Sequence, residues 1–130
     1  MLLVRLVITL LCAVGFYASV FMLRKSVLDA RGRLHEASVV QSPRAKLFGG
    51  IPNALIGAIY YPALLAAAWL GRSGAVYGAA FVAALCAAGV SAFLAYSLLF
   101  VTKRSCLYCF LAHAANFGLA AATARLLVLH

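Results

Sequence analysis

The sequence predicts an all-α membrane protein, a four-transmembrane-helix bundle with an interfacial segment between its first and second helices. Three observations carry this expectation. The 130 residues are 67% hydrophobic and only 10% charged, with a mean hydropathy of +1.08, whereas soluble domains carry about 25% charged residues. Asp, Glu, Lys and Arg are missing from 6–23, 47–71, 73–102 and 105–124, each close to or above the roughly 18–20 residues that cross a hydrocarbon core. Lipid cannot satisfy open backbone groups, so helices are the expected spanning form. Four spans leave little chain over, which makes 1–130 a single membrane domain.

The first helix is expected over about 3–23. A signal peptide is the competing reading, with Arg5 as its basic region. The apolar run is longer than an ordinary signal core, no A-x-A site follows, and Arg24-Lys25 come directly after it, so a retained helix is preferred. The linker 24–46 holds eight charged residues. Within it Val27, Ala30, Leu34 and Ala37 fall at helical spacing among Arg31, Arg33 and Glu36, the pattern of a short amphipathic segment lying in the interface. Ser42-Pro43 breaks any helix there, because the residue before proline avoids the α region.

The second helix is expected over 51–70, with Pro52 in its first turn, and Gly71-Arg72-Ser73-Gly74 as a tight turn. The third covers about 75–101. Its Gly74-x-x-x-Gly78 spacing permits close backbone approach, although glycine–alanine richness reads most simply as ordinary membrane packing. Thr102-Lys103-Arg104-Ser105 forms the last turn, Ser105 suits an N-cap, and the fourth helix covers about 106–128. The formal charge of +9 comes from bases scattered at helix ends, where anionic headgroups lie. It points to a bilayer surface and not to nucleic acid.

The fourth helix carries the chemistry. Cys106, Cys109, His113 and Asn116 fall within an arc of about 80° at about 100° per residue, on one face. Such a polar stripe is costly in a membrane unless it faces the protein interior and has a use. Cys106 stands where free N–H groups and the helix dipole favour a thiolate, with Lys103 and Arg104 beside it. It is therefore the expected exchanging thiol, and Cys109, one turn deeper, its resolving partner. Two buried, inert thiols would be the bland alternative. A metal site lacks a fourth ligand, since the stripe ends in asparagine, so no metal is expected. Cys12 and Cys86 sit mid-span among small apolar residues and read as packing. Asn53, at the start of the second helix, either satisfies local backbone or donates to a carbonyl ligand.

These residues resemble the vitamin K epoxide reductase family. Ser42-Pro43-Arg44-Ala45-Lys46-Leu47-Phe48-Gly49-Gly50-Ile51-Pro52-Asn53-Ala54-Leu55-Ile56-Gly57 is similar to the family's approach to its second helix. Phe93-Leu94-Ala95-Tyr96, the following turn and Cys106-Leu107-Tyr108-Cys109 are similar to the end of its third helix and its redox motif. The resemblance spans about 36–120. It implies a thiol–quinone oxidoreductase whose helices surround menaquinone or ubiquinone, with a thioredoxin-like dithiol protein as partner. It further implies that Cys109 faces the quinone, that Cys106 exchanges with other thiols, and that Asn53 and His113 donate to quinone oxygens, although tyrosine is familiar at the latter position. Ser42 matches the family's loop serine.

One departure stands out. The family's two loop cysteines, which relay electrons to the helix pair, have no counterpart, because 24–46 contains no cysteine. Either a partner meets Cys106 directly, or the chain is a non-catalytic membrane subunit binding a partner or lipid with an unused CxxC. Orientation is also contested. Arg24, Lys25, Arg31, Arg33, Arg44, Lys46, Lys103 and Arg104 share one side against Arg5, Arg72 and Arg125 on the other. The positive-inside rule puts the larger group in the cytoplasm. The resemblance puts the CxxC on the outer face of a bacterial inner membrane, where disulfides persist, and that side is preferred.

Overall fold

A computed structural model describes residues 1–32, 53–102 and 107–130. Four helices make up nearly all of them: α1 Leu2–Ala30, α2 Asn53–Leu70, α3 Gly74–Tyr96 and α4 Leu107–Leu129. Each is long and apolar enough to cross a membrane, and no strand occurs among the described residues. The expected bundle is therefore present. Cys106, Ser42 and most of the linker, including Leu34, Glu36 and Ala37, lie outside the described residues, as does the interfacial placement of that segment.

The end of the first helix differs from expectation. Val27 and Ala30 do not open a separate segment; they continue α1, which passes through Arg24-Lys25. Charges end the membrane-buried stretch, but arginine and lysine are good helix formers and do not end a helix. Lys25 Nζ lies 5.1 Å from the centre of the Phe21 ring, and Ser26 is buried. Termination waits for Gly32, whose φ of +69° is the left-handed turn that glycine adopts freely. Its N–H donates to the carbonyl of Asp29 at 3.0 Å. At 1.5 Å per residue α1 is about 43 Å long, well beyond a hydrocarbon core of about 30 Å.

At the other end of the bundle, Ser73 caps α3 by accepting from the Val76 N–H at 3.4 Å. After Tyr96 the chain widens into π-helical form over Ser97–Thr102, which takes up the end of the expected third span and runs one residue past it. Pro62 sits inside α2 on its exposed side. The missing rung it leaves is tolerated in membrane helices.

The helices pack in the order α2, α1, α4, α3. α1 packs extensively on both α2 and α4, and α4 on α3, while α2 and α3 touch sparsely despite their short connection. Small residues set these approaches. A Cβ on Gly15 would collide with the Tyr61 ring, one on Gly57 with Ser19 Oγ, and one on Gly118 would come within 2.9 Å of Leu11 Cδ1. The Gly74-x-x-x-Gly78 spacing is not used this way, since a Cβ on Gly78 meets nothing within 4 Å.

The interior is small and partly polar: Ala18, Ala68, Ala84, Ala115, Ser19, Ser91, Ser97 and Thr123 are all buried. The outside is apolar, with Leu10, Ile59, Leu70, Val82, Leu85, Phe117 and Val128 exposed. Apolar surface on that scale needs a non-aqueous neighbour, which makes this a multi-pass membrane protein. Ile8 and Cys12 of α1 are fully buried against Tyr61, Leu64 and Leu119, so α1 is integral to the core.

Candidate functional site

The described part of the CxxC lies at the bundle end where α1 finishes and α2 and α4 begin. Cys109 occupies the first turn of α4 and is half-buried. Tyr108, between the two cysteines, stacks on Phe21 of α1 with ring centres 3.9 Å apart and planes at 20°. Tyr17, one turn along α1, adds a tilted contact at 6.1 Å. The aromatic stack therefore fixes the first turn of α4 against α1 and closes that seam. No comparable contact joins α2 to α3 at this level among the described residues.

Deeper in, a hydrogen-bonded clamp crosses the bundle. Tyr61 of α2 donates its hydroxyl hydrogen to Asn116 Oδ1 of α4 at 2.7 Å. Asn116 Nδ2 in turn donates to Ser91 Oγ of α3 at 2.6 Å. Tyr61 and Ser91 are each 2% exposed, so three helices are tied at one level in a dry interior. Both ends of the Asn116 amide engage protein, and its place in the stripe is explained by packing. Interhelical hydrogen bonds in membranes are worth about 0.6 kcal/mol on average and up to about 1.7. Tyr61→Phe should cost about 1 kcal/mol, read as a lower unfolding midpoint in detergent, because it also leaves Asn116 Oδ1 without its donor.

The clamp fixes the heights of the other residues. From Asn116 to Cys109 α4 rises about 10 Å, and from Tyr61 to Asn53 the parallel α2 rises about 12 Å. Asn53 and Cys109 thus lie at one level, and the half-buried Asn53 is the first residue of α2. His113 lies between clamp and rim, one turn below Cys109. It is half-buried, and its Nδ1 is a buried atom with no hydrogen-bond partner. Ser97 opens the π-helical end of α3, buried to 1%, and its Oγ also has no partner. Buried polar atoms are ordinarily satisfied. Among the described residues His113 Nδ1 and Ser97 Oγ are exceptions, as is the Tyr60 hydroxyl of α2.

Of the residues singled out from sequence, Cys109 and Asn53 stand in the first turns of α4 and α2, His113 one turn further along α4 and Asn116 in the clamp, while Cys106 and Ser42 lie outside the described residues. Tyr61, Ser91 and Ser97 were missed. Tyrosine and serine in apolar spans usually read as packing or backbone-satisfied groups, and only contacts across helices single them out. Cys12 is buried and Cys86 exposed on the outer face of α3, both remote from α4's first turn. No group of three or more metal-binding side chains occurs among the described residues.

No curated protein matches the chain. The family profile described as vitamin K epoxide reductase family matches residues 6–124, nearly the whole length. Enzymes of that family use quinones. The match reaches into all four helices: this chain belongs to the vitamin K epoxide reductase family.

Proposed function

We propose that the protein is a membrane thiol–quinone oxidoreductase that passes electrons from a partner dithiol through the Cys106–Cys109 pair to a membrane quinone. The observation that carries this reading is the half-buried Cys109 one turn above the buried, unpartnered Nδ1 of His113. The donor set fits a quinone, whose two carbonyl oxygens only accept. His113 supplies one donor and Asn53, at the level of Cys109, the other. Asn116 stays in the clamp and acts as a positioning residue, setting the floor about 10 Å below the rim. Ser42 belongs to the loop approaching Asn53 and is assigned a supporting role there.

A thioredoxin-like partner thiolate attacks the Cys106 sulfur of the disulfide, forming a mixed disulfide and releasing Cys109 as the leaving thiolate. The partner's second thiolate then displaces Cys106, leaving the partner oxidised and both cysteines reduced. Bound quinone, menaquinone or ubiquinone, supplies the two-electron acceptor, taking one electron pair and two protons as the Cys106–Cys109 disulfide re-forms. Donors fixed in a dry site favour charge that develops on the acceptor oxygens. Residues 24–46 contain no cysteine, so the partner must meet Cys106 directly. That contact belongs on the outer, oxidising face of the membrane, with Arg5, Arg72 and Arg125 facing the cytoplasm.

Anaerobic reduction of quinone by the purified protein and a dithiol tests the reading. His113→Leu should raise the quinone KM about tenfold, the effect of about 1.4 kcal/mol, while disulfide exchange with the partner stays near wild type. An unchanged KM removes His113 from the quinone site. The missing loop cysteines favour a second reading, a non-catalytic subunit with an idle CxxC. Mass-tag alkylation in cells separates the two, since a pair that stays reduced under every condition supports the subunit.

A further inference from the structure

At the end of the bundle remote from Cys109, Arg5 is placed one turn into α1 and half-buried. Its Nη2 donates to the Tyr77 hydroxyl at 3.0 Å, and that hydroxyl donates to the carbonyl of Gly71 at 2.7 Å. The guanidinium carbon lies 5.8 Å from the centre of the Trp69 ring. Trp69 Nε1 donates to Thr9 Oγ1 at 2.9 Å, and Thr9 donates to the Arg5 carbonyl at 2.8 Å. His130 meets the Tyr77 ring edge-on at 4.9 Å. Every partner of the guanidinium among the described residues is neutral. Nε is a buried donor with no partner, although an arginine carries five N–H donors.

Among the described residues no acidic side chain balances this charge. The chain has two acidic residues, Asp29 and Glu36, and Asp29 is about 36 Å away along α1. Arg72 in the α2–α3 loop and Arg125 on α4 are exposed and add positive charge at the same end. A half-buried cation without a counter-ion is costly. Leu3 and Leu6, beside Arg5 in the sequence, and Leu70, next to Trp69, are exposed by 73%, 50% and 76%, so this side of the bundle end is apolar and suits acyl chains. An anion that reaches Arg5 by that side must carry an apolar tail.

We infer that Arg5, with the Trp69 ring beside it, binds the phosphodiester headgroup of an anionic phospholipid at the bundle end opposite the cysteines. Tryptophan at that depth suits the headgroup boundary, and the neutral partners hold the guanidinium in place without neutralising it. The site is independent of quinone chemistry.

Trp69 is the only tryptophan in the chain, which makes its fluorescence a local probe. The full chain is reconstituted in phosphatidylcholine vesicles containing either brominated phosphatidylglycerol or brominated phosphatidylcholine, and quenching gives the relative affinity. Wild type should prefer the anionic lipid by about fivefold, the scale of one basic residue at a membrane surface. Arg5→Gln keeps a donor for Tyr77 and should lose the preference, while Arg5→Lys and Arg125→Gln should keep it. Retention of phosphatidylglycerol over phosphatidylcholine by wild type in native mass spectrometry reads the same preference without any variant. No preference in wild type, or equal loss in Arg125→Gln, overturns the site. So does cancellation by excess inorganic phosphate, which would assign the guanidinium to a free anion.

Discussion

Cys109→Ser should abolish dithiol-driven quinone reduction, a fall of about a thousandfold or more. Removal of an attacking group that no neighbour replaces has effects on that scale. Cys12 and Cys86 cannot substitute: one is locked in the core and the other lies on the outer face of α3. The two cysteines should also fail differently. With serine at 109, Cys106 still exchanges with a single-cysteine partner activated as an aryl disulfide, and the mixed disulfide persists because no second thiol remains in reach to resolve it. With serine at 106, no mixed disulfide forms. Non-reducing gels with a thioredoxin-like protein separate these outcomes, and equal trapping by both variants would remove the assigned order of attack.

Gly15→Leu should be the most damaging change to the fold. A Cβ at this position already collides with the Tyr61 ring, and Tyr61 cannot retreat because its hydroxyl is held by Asn116. Overpacking a core costs about 1–3 kcal/mol and occasionally more. Here the strain falls on the α1–α2 seam and on the clamp, so about 3 kcal/mol is expected, a drop of about 10 °C in the unfolding midpoint in detergent. Gly78→Leu is the matched control. Its Cβ meets nothing within 4 Å, so its midpoint should stay near wild type. Equal losses at both positions would mean that α1 does not pack on α2 as described.

Much of the architecture was legible because lipid reduces the problem to counting uncharged spans. The end of α1 was missed for a definite reason: Arg24 and Lys25 mark where hydrocarbon ends, whereas the backbone turns only at Gly32. The glycines that matter were equally hidden. Gly74 and Gly78 carry the familiar spacing, yet Gly15, Gly57 and Gly118 make the close approaches, because what decides is the bulk of the residue opposite each one. At the site, helical periodicity was enough to put Cys109, His113 and Asn116 on one face. It could not separate the committed amide of Asn116 from the unpartnered nitrogen of His113, since that difference is made by Tyr61 and Ser91 on other helices. The Arg5 cluster likewise depends on residues that come together only when α1, α2 and α3 pack.

The central claim concerns electron flow between one sulfur pair and one ring, and a single turnover isolates it. Fully reduced protein is mixed anaerobically with an excess of quinone and no dithiol, and quinol and alkylatable thiols are counted together. One quinol per chain should appear as two thiols disappear, with peptide mapping placing the new disulfide between Cys106 and Cys109. Quinol formation with all four thiols still open to alkylation after denaturation, or no quinol from a fully reduced and folded protein, would contradict it.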